Sequence, residues 1–182
     1  MDAAAFFAVL YFFVPAYLAN MAPVVVRGHA EWLARPLDGG RTWRGRRVLG
    51  DHKTWRGLLA GVAVGALTFA AQRWLWQHGF AHRLALLDYG ACDPWLPGAL
   101  LGLGAGLGDA VKSFAKRRLD IAPGASWLGF DQLDFMLGAY ACVAIVFVPP
   151  LLETVAILPL VFVGSVATTS AGYWLGWKEA WI

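Results

Sequence analysis

Residues 108–134 read GDAVKSFAKRRLDIAPGASWLGFDQLD, and the fold and its purpose both turn on this stretch. Among its charges are the carboxylates Asp109, Asp131 and Asp134 and the cations Lys112, Lys116, Arg117 and Arg118, set between two long apolar runs. On a helix, Asp109, Lys112, Ser113 and Lys116 fall at i, i+3, i+4 and i+7, so they share one face. Asp131 and Asp134 are three apart and open the following apolar run, where a helix N-terminus favours negative charge. A charged side chain at the centre of a membrane helix costs about 2.5 to 3.5 kcal/mol even on lenient scales, so such a cluster marks a functional site. Carboxylates beside several cations suit Mg²⁺ held by oxygen ligands, with lysine and arginine neutralising phosphates that complete its coordination. The plainer alternative is a set of salt bridges at the cytoplasmic edge of a membrane.

Away from that stretch the chain is strongly apolar. Of its 182 residues 59% are hydrophobic and 15% charged, where soluble proteins carry about 25% charged residues. Crossing the hydrocarbon core takes about 20 mostly apolar residues as a helix, which leaves room for at most five or six spans and no sizeable soluble domain. The expectation is an all-α integral membrane protein, one domain over 1–182, with five transmembrane helices at about 3–26, 57–76, 94–115, 133–150 and 153–176. Pro15 and Asn20 are the irregularities of the first span, and Pro149-Pro150 should make a sharp reversal after the fourth. The first run lacks a basic flank and is too long for a signal peptide, so no cleavable leader is expected.

The distribution of charge sets the orientation. Eight of the 15 basic residues lie between Arg27 and Arg56, four lie from Lys112 to Arg118, Lys178 is in the tail, and only Arg73 and Arg83 flank the second loop. By the positive-inside rule the basic loops and the C-terminus face the cytoplasm, and the N-terminus faces outward. Trp43, Trp55, Trp74, Trp76, Trp174 and Trp177 near the span ends suit an interfacial belt. The arginines from Arg41 to Arg47 read as topology or contact with anionic lipid rather than chemistry.

A second polar stretch, GDHKTWRG at Gly50–Gly57, leads into the second span. Lys53 and Arg56 lie one turn apart at a helix N-terminus, an arrangement suited to an anion, although juxtamembrane cations also serve topology alone. Asn20 needs a hydrogen-bond partner inside the membrane, either a neighbouring helix or a ligand. Gly98, Gly102 and Gly106 have the spacing that lets helices approach closely, within one chain or between two. Gly102 to Gly106 is no dinucleotide fingerprint, because no strand precedes it. His29, His52, His78 and His82, like Cys92 and Cys142, lack metal-ligand spacing.

These residues together resemble the CDP-archaeol synthases, archaeal membrane enzymes that activate a geranylgeranylated glycerol phosphate with CTP, and more distantly the bacterial CDP-diacylglycerol synthases. The resemblance rests on GDHKTWRG, on Gly108-Asp109 with Lys112-Ser113-Phe114 and Lys116-Arg117-Arg118, on Asp131-Gln132-Leu133-Asp134-Phe135, and on YWLGWK at Tyr173–Lys178. The bacterial enzymes have a PGHGG-like stretch ending in an Asp-Arg pair, whereas Pro123 to Asp134 has no arginine after its aspartates, which favours the archaeal branch. Thr168-Thr169-Ser170-Ala171 stands where archaeal relatives often have an asparagine, so no role is carried onto it.

The resemblance implies a membrane-bound, Mg²⁺-dependent nucleotidyltransferase of phospholipid biosynthesis, with CTP and a prenylated glycerol phosphate as substrates and no nucleic acid partner. It implies Asp109, Asp131 and Asp134 as metal ligands, acting with Lys112 in catalysis. Lys112, Ser113, Lys116 and Arg117 would contact the triphosphate, and Lys53, Thr54 and Arg56 would help bind nucleotide or lipid phosphate, with Asn20 a candidate substrate-binding residue on its own chemistry. The competing expectations are a CDP-diacylglycerol synthase acting on ester lipids, and a transporter or scaffold without CTP chemistry.

Overall fold

The computed structural model describes residues 2–122 and 125–176. Trp177 and Lys178, and with them the end of YWLGWK and the C-terminal positive charge, lie outside the described residues, as do Pro123 and Gly124. Six α-helices make up most of the described chain: α1 (Ala3–Phe12), α2 (Val14–Val25), α3 (Trp55–Gln77), α4 (Leu96–Arg118), α5 (Phe130–Val143) and α6 (Leu151–Trp174). Among the described residues, three helical segments are long and apolar enough to cross a membrane, namely Ala3–Val25, formed by α1 and α2 together, then α3 and α6.

The expected first span is thus two helices, and the reason is Pro15. A proline ring carries no N–H, so the carbonyl four residues earlier loses its helical donor. That carbonyl belongs to Tyr11, and the buried Gln72 of α3 supplies the missing donor, its Nε2 lying 2.6 Å from Tyr11 O. In hydrocarbon an unsatisfied carbonyl is costly, and a side chain from a neighbouring helix is the usual remedy.

The fourth expected span, 133–150, is also corrected. Its helix begins earlier and ends at Val143, and residues 144–150 leave it in turns that run to Pro149-Pro150. Tyr140 OH donates to Pro149 O at 3.1 Å and closes this corner. Proline cannot propagate the ladder, and the residue before it is pushed to extended backbone, so the apolar run cannot remain helical to its end.

At the centre of the bundle lies α4, which packs along α5 on one side and along α3 and α2 on the other. Two glycine rows make this possible. Gly98 and Gly102 face Gly65 and Gly61 of α3, while Gly104 and Gly108 face Gly138 and the Asp134 carbonyl of α5; a Cβ on Gly98, Gly102, Gly104 or Gly108 would collide with backbone across the interface. The close-approach spacing read at Gly98, Gly102 and Gly106 holds for Gly98 and Gly102 against α3, whereas Gly106 meets only the Leu58 side chain, and Gly104 and Gly108 form a second row against α5. These glycines pack within one chain. Phe12, Phe69, Leu101, Phe135, Met136 and Ile157 fill the core between the helices.

The 28–54 connection is ordered by pairing of its own. A short antiparallel hairpin, β1 (Thr42–Trp43) and β2 (Arg46–Arg47), turns at Arg44 and Gly45, both with positive φ. Two consecutive residues of that kind make the turn that matches hairpin twist. The hairpin docks on the end of α4. The Arg118 guanidinium stacks on Trp43 and Phe114 and donates to Trp43 O at 2.7 Å and Arg47 O at 2.6 Å. Arg46 reaches back to Asp120 at 2.7 Å and to the Arg118 carbonyl at 3.0 Å. Arg46 and Arg47, expected to serve topology or lipid contact, are in this way tied into the protein. Replacing Gly108 by alanine should destabilise the detergent-solubilised protein by about 1 to 3 kcal/mol, the range for overpacking a close-packed contact. Thermal unfolding measures it, and an unchanged melting temperature would show that α4 and α5 part at no cost.

Candidate active site

Where α4 and α5 come closest, the charged residues of both helices meet. Lys112, one turn beyond Asp109 on α4, points its ammonium at α5. Its Nζ lies 3.0 Å from Asp109 Oδ1, 3.2 Å from Asp131 Oδ1 and 2.8 Å from Asp134 Oδ2. Each of three carboxylates therefore meets the same ammonium. Lys53, from the loop before α3, pairs with Asp109 from the other side. Lys116, one further turn along α4, pairs with Asp131 at 2.7 Å and donates to Ala125 O at 2.8 Å. Asp131 also accepts from the Trp127 backbone N–H at 2.6 Å, which folds the chain before α5 over the cluster.

Three carboxylates and three ammoniums thus balance each other in a mostly buried setting, with side-chain exposure falling from 28% at Asp109 to 18% at Asp131 and 6% at Asp134. Asp131 Oδ1 and Asp134 Oδ2 are buried oxygens with a cation beside them but no well-directed hydrogen bond. As a donor set these carboxylates are hard oxygens converging on one cationic point, the kind Mg²⁺ takes. They stand at ammonium distances, and among the described residues no group of three is drawn in to the closer spacing a metal ion needs.

Two cavities meet at this cluster and share Lys53, Lys112 and Asp131 in their walls. The first, of about 530 Å³, opens among the loops and is lined by Ser113, Lys116, Arg117, Gly50 and Ser126. The second, of about 440 Å³, runs down between α2, α3, α4 and α6, with Asn20, Arg27, Thr54, Arg56, Gly61 and Ser165 in its wall. All the anticipated site residues except Asp134 line one cavity or the other, and Asp134 sits behind Lys112.

Several have local partners that the sequence does not reveal. Thr54 is the N-cap of α3, its hydroxyl oxygen accepting from Gly57 N at 3.2 Å, which leaves its O–H free to donate. Arg56 donates to His29 O at 2.9 Å and to Glu31 at 2.7 Å, so it steadies the chain after α2 as well as lining the second cavity. Arg117 donates to Ile121 O at 3.2 Å.

One organising residue went unnoticed in the sequence. Asp38, beside the Gly39-Gly40 turn, has a side chain only 2% exposed. It accepts from the backbone N–H groups of Gly40, Leu49 and Gly50 at 2.9, 2.9 and 3.2 Å and from Arg47 at 3.0 Å. Burial alone would raise its pKa, but these donors outweigh it and hold the carboxyl well below the usual range. Asp38 thereby shapes the segment that presents Gly50 to Lys53 to both cavities. The Asp-Gly-Gly sequence signals a turn, yet nothing in it says that the carboxylate turns inward.

A family model described as CarS-like, CDP-archaeol synthase, matches residues 3–182. The chain is 39% identical over 177 residues to the CDP-archaeol synthase of Thermococcus onnurineus, covering 93% of this chain and 92% of that one. It is 40% identical over 190 residues to that of Halorubrum lacusprofundi, covering 98% and 97%. A solved structure described as an intramembrane enzyme for archaeal membrane lipid biosynthesis superimposes with a TM-score of 0.69 at 33% identity, over 88% of this chain and 91% of that one.

Because its folded pKa is depressed, Asp38 contributes stability that is complete above its unfolded value, about 3.9, and is lost as pH falls toward the folded one. Asp38→Ala should therefore expose the 28–54 connection to limited proteolysis at pH 7 with α3 to α6 intact. Wild type should show the same opening only on strong acidification. Equal cleavage of the two proteins at pH 7 would remove Asp38 from this role.

Proposed function

The chain belongs to the CarS-like CDP-archaeol synthase family, and from that premise we propose how its two cavities divide the reaction. The enzyme is a membrane nucleotidyltransferase of archaeal lipid biosynthesis, joining the cytidylyl group of CTP to an unsaturated ether-lipid phosphate, digeranylgeranylglyceryl phosphate. The loop-facing cavity takes CTP, with Lys112, Ser113, Lys116 and Arg117 on its phosphates. The cavity between the helices takes the lipid headgroup, its phosphate near Lys53, Thr54, Arg56 and Arg27, with Asn20 toward the glycerol. The observation that carries this division is that Lys53, Lys112 and Asp131 belong to both walls. A phosphate in each would meet at the ion-paired cluster.

In the reaction an oxygen of the lipid phosphate attacks the α-phosphorus of CTP. A new P–O bond forms, the bond from the α-phosphorus to the oxygen bridging to the β-phosphorus breaks, and pyrophosphate leaves with that electron pair. A phosphate monoester is largely ionised at pH 7, its second pKa being about 6, so the protein need supply no base. Its work is alignment and neutralisation of charge, which dominate phosphoryl transfer generally. Mg²⁺ held by Asp109, Asp131 and Asp134 would supply part of that neutralisation. Lys53 and Lys112 serve both phosphates because each stands between the two cavities.

The membrane domain would be completed by α4 and α5 as the third and fourth of five crossing elements, with the basic loops, the site and the C-terminus in the cytoplasm and the N-terminus outside. The eight basic residues between Arg27 and Arg56 support that orientation.

The assignment is tested by the transfer of label from CTP to lipid with Mg²⁺ present, comparing the unsaturated ether phosphate with phosphatidic acid. Asp131→Asn should lower turnover about 100-fold or more, the scale of losing one preorganised charge contact in a phosphoryl-type transition state, in protein that remains folded. Turnover within a few-fold of wild type would remove Asp131 from the site. Lys116→Ala should raise the KM for CTP more than that for lipid, and a reversed pattern would exchange the two cavities.

A further inference from the structure

The position toward which Asp109, Asp131 and Asp134 converge is already filled by a cation that belongs to the chain. An ammonium has three N–H donors, and Lys112 has one carboxylate within 3.2 Å for each. Its side chain is 13% exposed, so it has little access to water as a substitute partner. Lys53 and Lys116 neutralise the outer faces of Asp109 and Asp131. The cluster of three carboxylates and three ammoniums therefore has no net charge to attract a divalent ion.

We propose that Lys112 acts as a placeholder that excludes the bare divalent cation, so that the site accepts the metal only together with a triphosphate. This rests on the reading of Asp109, Asp131 and Asp134 as metal ligands. A lone divalent ion entering among the carboxylates would have to part the ammonium from all three of them, while Asp51, the further carboxylate in the wall of the loop-facing cavity, is already paired with Arg47 at 2.6 Å, and a largely buried charge that loses its partners is strongly unfavourable. A triphosphate removes the obstacle, because Lys112 also lines the loop-facing cavity. Its flexible stem can carry the ammonium from carboxylate to phosphate, a movement suited to a lysine and not to a rigid arginine fork. The carboxylates it releases are then free for the metal. Asp134, which lines neither cavity, is suited to this exchange because its contact in the cluster is with Lys112. By linkage, what the nucleotide does for the metal the metal does for the nucleotide, by the same factor.

The test uses Mn²⁺ as probe, with protein-bound ion measured by electron paramagnetic resonance in the purified full chain, with and without CTP and with no lipid acceptor, so that no turnover occurs. Wild type should bind Mn²⁺ weakly alone and about 5- to 150-fold more tightly with CTP present, the usual span of a coupling between sites. Lys112→Met should bind Mn²⁺ without CTP at least as tightly as wild type does with it, and Lys112→Arg should stay closed to the bare ion. Equal Mn²⁺ affinity of wild type with and without CTP would overturn the proposal. So would a Lys112→Met protein that folds and gains no nucleotide-free binding. If that variant does not fold, the wild-type comparison alone decides. The ligand reading itself fails in a different arm, when Asp131→Asn with CTP binds Mn²⁺ as wild type does or when no condition yields bound Mn²⁺.

Discussion

The site depends on how closely α4 and α5 approach at Gly108. With no side chain there, the Asp134 carbonyl of α5 lies directly against the α4 backbone, and Asp109 and Lys112 follow within the next turn of α4. A larger residue would separate the two helices and carry Asp131 and Asp134 out of reach of Lys112. Burying three carboxylates is affordable only while each has a cation at contact distance, since an unpaired buried charge costs several kcal/mol. Helix spacing and charge pairing are thus one constraint.

The same logic extends outward through the loops. Arg118 and Arg46 fasten the β1–β2 hairpin to the end of α4, and Asp38 gathers three backbone N–H groups into the turn that leads to Lys53. Lys53 is thereby delivered to Asp109 from a different direction than Lys112. Basic residues near the end of α4 also complement the negative end of its dipole. Positive charge in this region orders the loops and lines the cavities, beyond any part it has in setting topology.

Much of this could be read from residue order, because membrane helices announce themselves by length and apolarity and because Asp109, Lys112, Ser113 and Lys116 share a helical face. The approximate positions of most helices follow from apolar length, and the shared face of Asp109, Lys112, Ser113 and Lys116 follows from helical periodicity. Pairing between elements is less legible. Gly104 and Gly108 look no different in sequence from Gly102 and Gly106, and only the register of α5 selects the first pair. Asp38 and Asp120 resemble any loop aspartates until their partners, distant in sequence, are in place. The end of α5 at Val143 is hidden because the apolar run continues to Val148, and hydrophobicity does not distinguish helix from turn. Pro15 was visible as an irregularity, but its remedy, Gln72 of α3, lies on another helix.

The shortness of α5 bears on the surrounding membrane. Its 14 residues rise about 21 Å at 1.5 Å each, against a hydrocarbon core of about 30 Å. The turns that follow expose Ile145, Val146 and Val148, side chains suited to lipid on a backbone that is not. Irregular backbone facing acyl chains is costly, so if α5 crosses the bilayer, the lipid beside this corner would be drawn thin to bring polar headgroups toward residues 144–150. Elsewhere α3 and α6, of 23 and 24 residues, are long and apolar enough to cross the bilayer at full depth. With α5 among its crossing elements, the protein would carry a thickness mismatch around its own circumference, and a membrane of long or stiff chains would strain first at the end of α5, the helix that holds Asp131 and Asp134 in place.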